Sequence, residues 1–445
     1  MKKQRIAGIV LALAFLCGCS FPGGGNVEDR LRPPRGGGEQ EVLLETLDKY
    51  LPGNYLLTFP RSGEHREAIL YEDMDGDGKE EAVCFYRRRD GNTHVLALRR
   101  SGEEWIPLDD IQGGSADIDW VTWGNLPEGK LLLVGWGIYN NSRDRQLVLY
   151  SMGKQGLISQ FETVCAAACM GDITRSGRDS LLIFQINSGN NNQNNVTASL
   201  YTYTDDSIVQ EGVVSLDGYI RSFGTPQLAK VDAGQYGVFV DGYKDAAGIT
   251  TELVYWENGT LKAPFYNVET NTNTVTLREG LRTSLLTGGD VDGDGLWEWP
   301  QNRRLVGYQT VDIDKAQWLT TWMRFDPEAK VPVRALYSLA DPYDGYYLIL
   351  DADWVGETAD GDKFTMSYDR KTHLLEVQEV KSGVVGRPLL RIAPFAYGVE
   401  EAAGGEVIKA VLSDQGKAEY AIWYRNAGEN ALTQEEVRYM LTPMP

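Results

Sequence analysis

Apolar and aromatic residues along this chain come in short runs of four to seven, separated by glycine, asparagine or charged pairs. Residues 82–87, 94–98 and 105–108 form one such set, with a turn at Ser101, Gly102, Glu103 and Glu104 before the last run. Residues 130–136, 146–152 and 157–161 repeat the layout, with a turn at Lys154, Gln155 and Gly156. The runs are rich in β-branched and aromatic side chains and too short for helices, so the pattern predicts consecutive antiparallel strands. Helical spacing stands out at two places. Leu43, Leu44, Leu47 and Leu51 fall on one face of a helix over residues 41–51, which Pro52 ends. Near the C-terminus Thr433 and Glu436 make a capping box, with Leu432 and Val437 spaced as a hydrophobic staple.

Between the strands lies an internal repeat. Asp73-Met74-Asp75-Gly76-Asp77-Gly78-Lys79-Glu80-Glu81 recurs as Asp290-Val291-Asp292-Gly293-Asp294-Gly295-Leu296-Trp297-Glu298. Carboxylates at positions 1, 3 and 5 converge only if the backbone curls around a common centre, and their mutual repulsion then calls for a hard cation. The glycine at position 6, Gly78 or Gly295, supplies the positive φ of the sharp turn. The position 7 carbonyl, of Lys79 or Leu296, and the position 9 carboxylate, of Glu81 or Glu298, complete the expected ligand set. Calcium is the expected ion, because flexible carboxylates and a carbonyl suit its high oxygen coordination better than the strict octahedron of magnesium. An EF-hand is excluded: it needs a glutamate at position 12 between helical flanks, and that position is Cys84 in one copy and Gln301 in the other.

An acidic loop of this kind between two strands resembles the FG-GAP and VCBS-type repeats of β-propellers, including the integrin α-subunit type, over residues 60–335. The resemblance implies that such loops bind calcium. Position 9 departs from it, being Glu rather than Asp, and no FG-GAP tripeptide is present. Weaker copies begin at Asp172 and lie at residues 124–130 and 230–237, so loops recur about every 50 to 60 residues, room for four short strands per unit. The expected fold is an all-β propeller of about five four-stranded blades, with six or seven also compatible. A strand near residues 55–59 is expected to complete a blade begun at the far end of the chain. A two-sheet sandwich is the structural alternative that strand patterns alone do not separate. Residues 336–445, with runs at 346–350, 363–368, 373–380, 388–394, 407–412 and 418–425 before the capped helix, are expected to form a small α+β domain.

The N-terminus places Lys2, Lys3 and Arg5 before an apolar run over residues 6–16. That run is shorter than the roughly 20 residues a membrane span takes and fits a secretory signal. Leu16-Cys17-Gly18-Cys19 resembles the bacterial lipobox, which makes residues 1–18 the signal peptide and Cys19 the lipidated first residue of the mature chain. Residues 19–39 read as a flexible tether with a reach of roughly 25 Å. Removing residues 1–18 leaves 40 basic and 63 acidic side chains, a formal charge of −23 that disfavours nucleic acid. Signal, tether, helix, acidic repeats and tail together resemble the FG-GAP/VCBS-like lipoproteins of Gram-positive gut-type bacteria. The expected location is therefore extracytoplasmic, with the chain a monomer held to the membrane through its N-terminal lipid.

Catalytic patterns are scarce. The three histidines, His65, His94 and His373, show no zinc-site spacing, and no nucleophile elbow, P-loop or dinucleotide motif sits in a strand-turn-helix setting. No catalytic residue is assigned. Trp105, Trp120, Trp123, Trp136, Trp297 and Trp299 are read as packing between sheets, and the polar tract at residues 188–195 as a hairpin loop. Cys84, Cys165 and Cys169 are read as buried free thiols, with a Cys84 to Cys169 pair conditional on their loops being neighbours. The function expected is that of a binding or scaffold module for a protein or glycan partner. A polysaccharide-active propeller enzyme and an accessory subunit of an envelope complex are the alternatives.

Overall fold

A computed structural model describes residues 38–445 except 52, 54, 114–116, 190–192, 205–206, 246–247, 280–285, 314, 402, 413–417 and 445. The expected signal peptide, Cys19 and all but the last two residues of the expected tether lie outside the described residues. No helix among the described residues is long and apolar enough to cross a membrane.

The chain folds into six antiparallel sheets that follow one another in sequence. The first holds Leu56–Leu57, Ile69–Glu72, Glu81–Arg87, Thr93–Ser101 and Glu104–Gln112. The second holds Ile118–Leu126, Gly129–Ile138, Asn141–Met152 and Leu157–Cys165, and the third Ala167–Gly171, Ser180–Asn187, Asn195–Thr204 and Ser207–Ser215. Tyr236–Tyr243 and Gly248–Glu257 are the centre of the fourth. Trp299–Arg304, Trp318–Asp326, Val331–Asp341, Tyr346–Leu350 and Leu441–Pro443 make the fifth, and five strands between Phe364 and Arg425 make the sixth.

The middle strands read as continuous apolar runs because both of their faces are covered. In Glu81–Arg87, Ala82, Cys84 and Tyr86 pack under the N-terminal helix Gly38–Tyr50, while Val83 and Phe85 meet the second sheet. In the second sheet Leu132 and Val134 face back to the first, and Leu131 and Leu133 face forward to the third. Leu182 and Phe184 of the third sheet meet Val238 and Val240 of the fourth, whose Phe239 turns to Trp299 of the fifth. Leu319 and Leu339 of the fifth join Leu375, Val377 and Ile392 of the sixth. Each strand's period of two thus divides its side chains between two separate cores. Outer strands are wetter: Ser207–Ser215 alternates between exposed and half-buried positions.

Several expectations require correction. The sheets among the described residues number six, within the range expected, but they do not close into a ring. Leu56–Leu57 pairs inside its own sheet, Leu56 opposite Arg87, instead of completing a distant blade. The outer face of the first sheet is occupied by Leu43, Leu47 and Leu51 of the N-terminal helix. No core cluster among the described residues joins the sixth sheet to the first. That helix starts at Gly38, inside the expected tether. The expected domain boundary at residue 335 falls within the strand Val331–Asp341, so residues 336–445 supply half of the fifth sheet and all of the sixth. Their only α-helix among the described residues is Gln434–Met440, and the region is essentially β.

The start of that helix is as the sequence predicts. The Thr433 hydroxyl accepts from the Glu436 N–H and the Glu436 carboxylate accepts from the Thr433 N–H at 2.7 Å, while Leu432 and Val437 are buried in the last core. Thr433→Ala is expected to cost about 1 kcal/mol, read as a lower denaturant midpoint with an unchanged m-value. A variant as stable as the parent would deny the cap any energetic role.

Among the described residues the three cysteines, Cys84, Cys165 and Cys169, are free, with Cys84 and Cys165 buried. Cys84 lies under the N-terminal helix and Cys169 in the third sheet, so they are not partners. Burial pushes the thiols of Cys165 and Cys169 up to about 12. The tryptophans pack as expected, with Trp136 and Trp299 fully buried.

A polar cluster lies inside the fourth sheet. Lys244 Nζ sits 2.5 Å from Asp217 Oδ2, which also accepts from the Asn273 N–H at 2.6 Å. Beside them Glu252 is buried, facing the Asn273 side chain and the Asp217 backbone. Burial first, and the neighbouring Asp217 second, push its carboxyl up to about 7.

Candidate metal centre

The two acidic loops fold alike, because the same backbone N–H groups are tied to the same carboxylates. Both are hairpins: the first joins Ile69–Glu72 to Glu81–Arg87, and the second is closed by the bridge from Gly289 to Glu298. Asp73 Oδ2 accepts from the Gly78 N–H at 2.9 Å, and Asp290 Oδ2 from Gly295 at 3.0 Å. Asp77 and Asp294 each accept from the N–H two residues on, of Lys79 and Leu296, at 2.8 Å. Asp75 and Asp292 do likewise, at 3.3 and 3.1 Å. Gly78 and Gly295 have φ of 83° and 85°, as the turn requires, and Gly76 and Gly293 at position 4 are also left-handed.

Position 9 turns inward. Glu81 and Glu298 are buried, and each uses Oε2 to accept from the position 2 N–H, of Met74 at 3.1 Å and Val291 at 2.8 Å. Oxygens then remain with no protein partner. Asp73 Oδ1 and Glu298 Oε1 are buried and accept no hydrogen bond. An orphaned carboxylate oxygen in a buried setting is costly unless a cation or a proton meets it.

The loops differ in which ligands converge. Carboxylate oxygens of Asp73, Asp75 and Glu81 lie within 4.8 Å of one another in the first, and those of Asp290, Asp292 and Asp294 in the second. Asp77 stands outside the first group, 3.6 Å from the Lys79 ammonium. Glu298 stands outside the second. A side chain that the sequence did not flag meets each group. Arg99 binds Asp75 at 3.0 Å and lies 3.6 Å from Glu81, while Arg324 binds Asp294 at 2.6 Å. The two arginines sit at different distances along the chain from their loops, so no fixed spacing announces them.

Electrostatics separate the two glutamates. Burial, opposed by the Met74 N–H and the Arg99 charge, moves the Glu81 carboxyl upward. Burial, reinforced by Asp292, Asp294 and Asp290, pushes Glu298 up to about 8.

The hairpin at residues 172–179 is an internal comparison. Asp172 Oδ2 accepts from the Gly177 N–H at 2.9 Å, the bond that position 1 makes to position 6 in both acidic loops. Positions 3, 5 and 9 are Thr174, Ser176 and Ser180. The turn therefore forms without a carboxylate cluster, and the added acids of the other copies serve something besides folding the loop. Position 2 is buried in all three, as Met74, Ile173 and Val291, a shared apolar anchor visible in the sequence but not used in reading it.

Neighbouring hairpins are bonded to one another along one end of the sheets. Lys130 N–H donates to the Met74 carbonyl at 3.0 Å, Asp179 N–H to Asn125 at 2.9 Å, and Trp297 N–H to Lys230 at 3.1 Å. Each acidic loop thereby holds the adjacent sheet as well as its own.

No family model matches the sequence, and neither does any curated protein. Among solved structures, the Bacillus licheniformis rhamnogalacturonan lyase PL11 is similar with a TM-score of 0.31 and 10% identity, over 87% of this chain and 97% of that one. The exotype rhamnogalacturonan lyase YesX gives a TM-score of 0.30 and 9% identity, over 85% and 91%. Saccharomyces cerevisiae Sqt1 gives 0.29 and 9%, over 82% and 86%. Likeness at this level assigns no function.

Proposed function

We propose that the protein is a lipid-anchored, extracytoplasmic binding or scaffold module whose succession of blade-like sheets is stabilised by calcium. Two ions are proposed. Asp73, Asp75, Asp77, Glu81 and the Lys79 carbonyl hold one, and Asp290, Asp292, Asp294, Glu298 and the Leu296 carbonyl the other. The observation that carries the reading is the pair of buried, unpartnered oxygens, Asp73 Oδ1 and Glu298 Oε1, each within or beside a cluster of carboxylates. Calcium would supply the missing positive charge and an oxygen-seeking centre, and nothing in the role is chemical turnover.

The bonds from Lys130 to Met74 and from Trp297 to Lys230 support a structural role. An ion that fixes either loop also fixes the carbonyl or N–H by which the next sheet is held. The anchor rests on the residues around Cys19, and the partner, protein or glycan, on the absence of any recognised catalytic pattern in the sequence.

Chelation is the direct test. Addition of EDTA is expected to lower the melting temperature and excess calcium to restore it. Asp75→Ala and Asp292→Ala should each remove part of that difference, by an amount that tracks one site saturating: about 2.7 kcal/mol at a hundredfold excess over Kd. Identical melting curves with and without EDTA in the parent, and in both variants, would remove calcium from the account.

A further inference from the structure

A large groove opens at the opposite end of the second sheet from its hairpin. The strand Gly129–Ile138 starts at that hairpin and delivers Gly137, Ile138 and the following Tyr139 and Asn140 to the groove, about 30 Å away. The cavity measures ≈ 970 Å³ and shares Arg61, Gly137, Ile138 and Asn140 with a neighbour of ≈ 670 Å³. Small-molecule sites span about 300–1,000 Å³ and are mostly apolar, so this one is at the large end and unusually polar.

Its frame is fixed by backbone bonds between sheets. Arg61 N–H donates to the Ile118 carbonyl at 3.1 Å and Ser62 N–H to Asp119 at 2.8 Å, which straps the first sheet's connecting segment to the second sheet. Its charges cancel internally. Arg61 and Arg87 bind the two oxygens of Asp117 at 2.6 and 2.7 Å, and Arg145 binds the buried Asp119. The Glu162 carboxylate accepts from the Gln146 amide. Beside these paired charges the groove presents neutral groups: the side chains of Gln112, Asn140 and Thr163, which make no hydrogen bond within the described residues, and Tyr139, which is 89% exposed.

We infer that this groove binds a neutral oligosaccharide. Amide and hydroxyl groups match the paired donor and acceptor character of sugar hydroxyls, and an exposed tyrosine ring offers a flat apolar face to the C–H side of a pyranose. An apolar ligand would strand the amides. A uronate or phosphate would find Arg61 already paired with Asp117, beside the Glu162 carboxylate, in a chain of formal charge −20, so anionic ligands are disfavoured. The inference rests on the reading of the protein as a binding module and names the ligand class for it.

Affinity electrophoresis of the full chain tests it, in gels containing galactomannan, xyloglucan or arabinan, with polygalacturonate as the charged comparison. Retardation is expected in at least one neutral gel and none in polygalacturonate. Tyr139→Ala should weaken the apparent affinity about tenfold, Gln112→Ala by less, and Tyr139→Phe should retain it, since the ring rather than its hydroxyl makes the platform. Both positions are exposed, so folding is preserved. No retardation in any neutral gel, retention in polygalacturonate alone, or a Tyr139→Ala variant that binds like the parent would overturn the inference. The calcium-dependent melting shift, read in parallel on Tyr139→Ala, separates the two claims. A full shift without sugar binding sinks only the ligand class, and sugar binding without any shift sinks only the calcium sites.

Discussion

Glu298→Gln is expected to make the calcium-free protein more stable and the calcium-loaded protein less so. In the absence of metal the buried Glu298 carboxyl, pushed up to about 8 by burial and by Asp292, Asp294 and Asp290, must either hold a proton or face three aspartates with Oε1 unpartnered. Its folded value lies above the unfolded one, so the native state binds the extra proton between about pH 4.5 and 8. The stability tied to Glu298 is complete below that window and is lost as pH rises through it. Glutamine keeps an acceptor for the Val291 N–H and places an amide N–H toward the aspartates, without titrating. In EDTA at pH 8 to 9 the variant should therefore melt above the parent, and the gap should vanish near pH 4. At the proposed calcium site the order should reverse, because the ion would need the ionised carboxylate. The parent should gain about 2.7 kcal/mol from the second site at a hundredfold excess over Kd, and the variant little. Calcium binding by the parent should also release protons below pH 8. A variant that loses stability in EDTA and keeps the whole calcium gain would show that Glu298 is merely a packing residue.

The second large effect is expected at Glu252, which belongs to neither loop. Burial and the neighbouring Asp217 charge outweigh the Asn273 side chain, the Asp217 backbone and Lys244, and raise its carboxyl to about 7. The unfolded chain ionises near 4.5, so stability should fall between about pH 4.5 and 7 and then level off. The loss is on the order of 3 kcal/mol for a shift of this size. Glu252→Gln should flatten that part of the profile, matching the parent near pH 4 and exceeding it by a growing margin up to pH 7. Urea midpoints measured at half-unit pH steps would decide it. Parallel profiles for parent and variant would mean that Lys244 neutralises Glu252 as effectively as it does Asp217, which it contacts at 2.5 Å.

These two glutamates mark the difference between what the chain's pattern discloses and what it conceals. The acidic loops were legible because glycine and aspartate recur at fixed positions, and a left-handed turn stitched by carboxylates is a local structure. Strand positions were legible for the same reason: the run at residues 418–425 is the strand Ala418–Arg425, and the capping box starts its helix where the spacing puts it. Closure of the sheets was not legible. Whether a first sheet meets a last one depends on what covers its outer face, and that was settled by Leu43, Leu47 and Leu51, whose helical spacing says that they pack but not on what. Arg99 and Arg324 were invisible for a related reason, since each reaches its loop from another strand of the same sheet across a hairpin of unrelated length. Glu252 follows Thr250 and Thr251 in a strand that mixes polar and apolar letters, and sequence alone does not distinguish a lapse in burial from a buried charge.

The division of each middle strand between two cores gives the chain an unusual sensitivity to register. Removing one residue before Leu131 would turn Leu131 and Leu133 toward the first sheet and Leu132 and Val134 toward the third, disturbing two interfaces in a single step. Length changes should therefore be tolerated at turns such as residues 153–156 and be nearly lethal within strands, even where every substituted letter remains hydrophobic. Homologous chains compared across these sheets should differ freely in the identity of their aliphatic residues and hardly at all in how many there are.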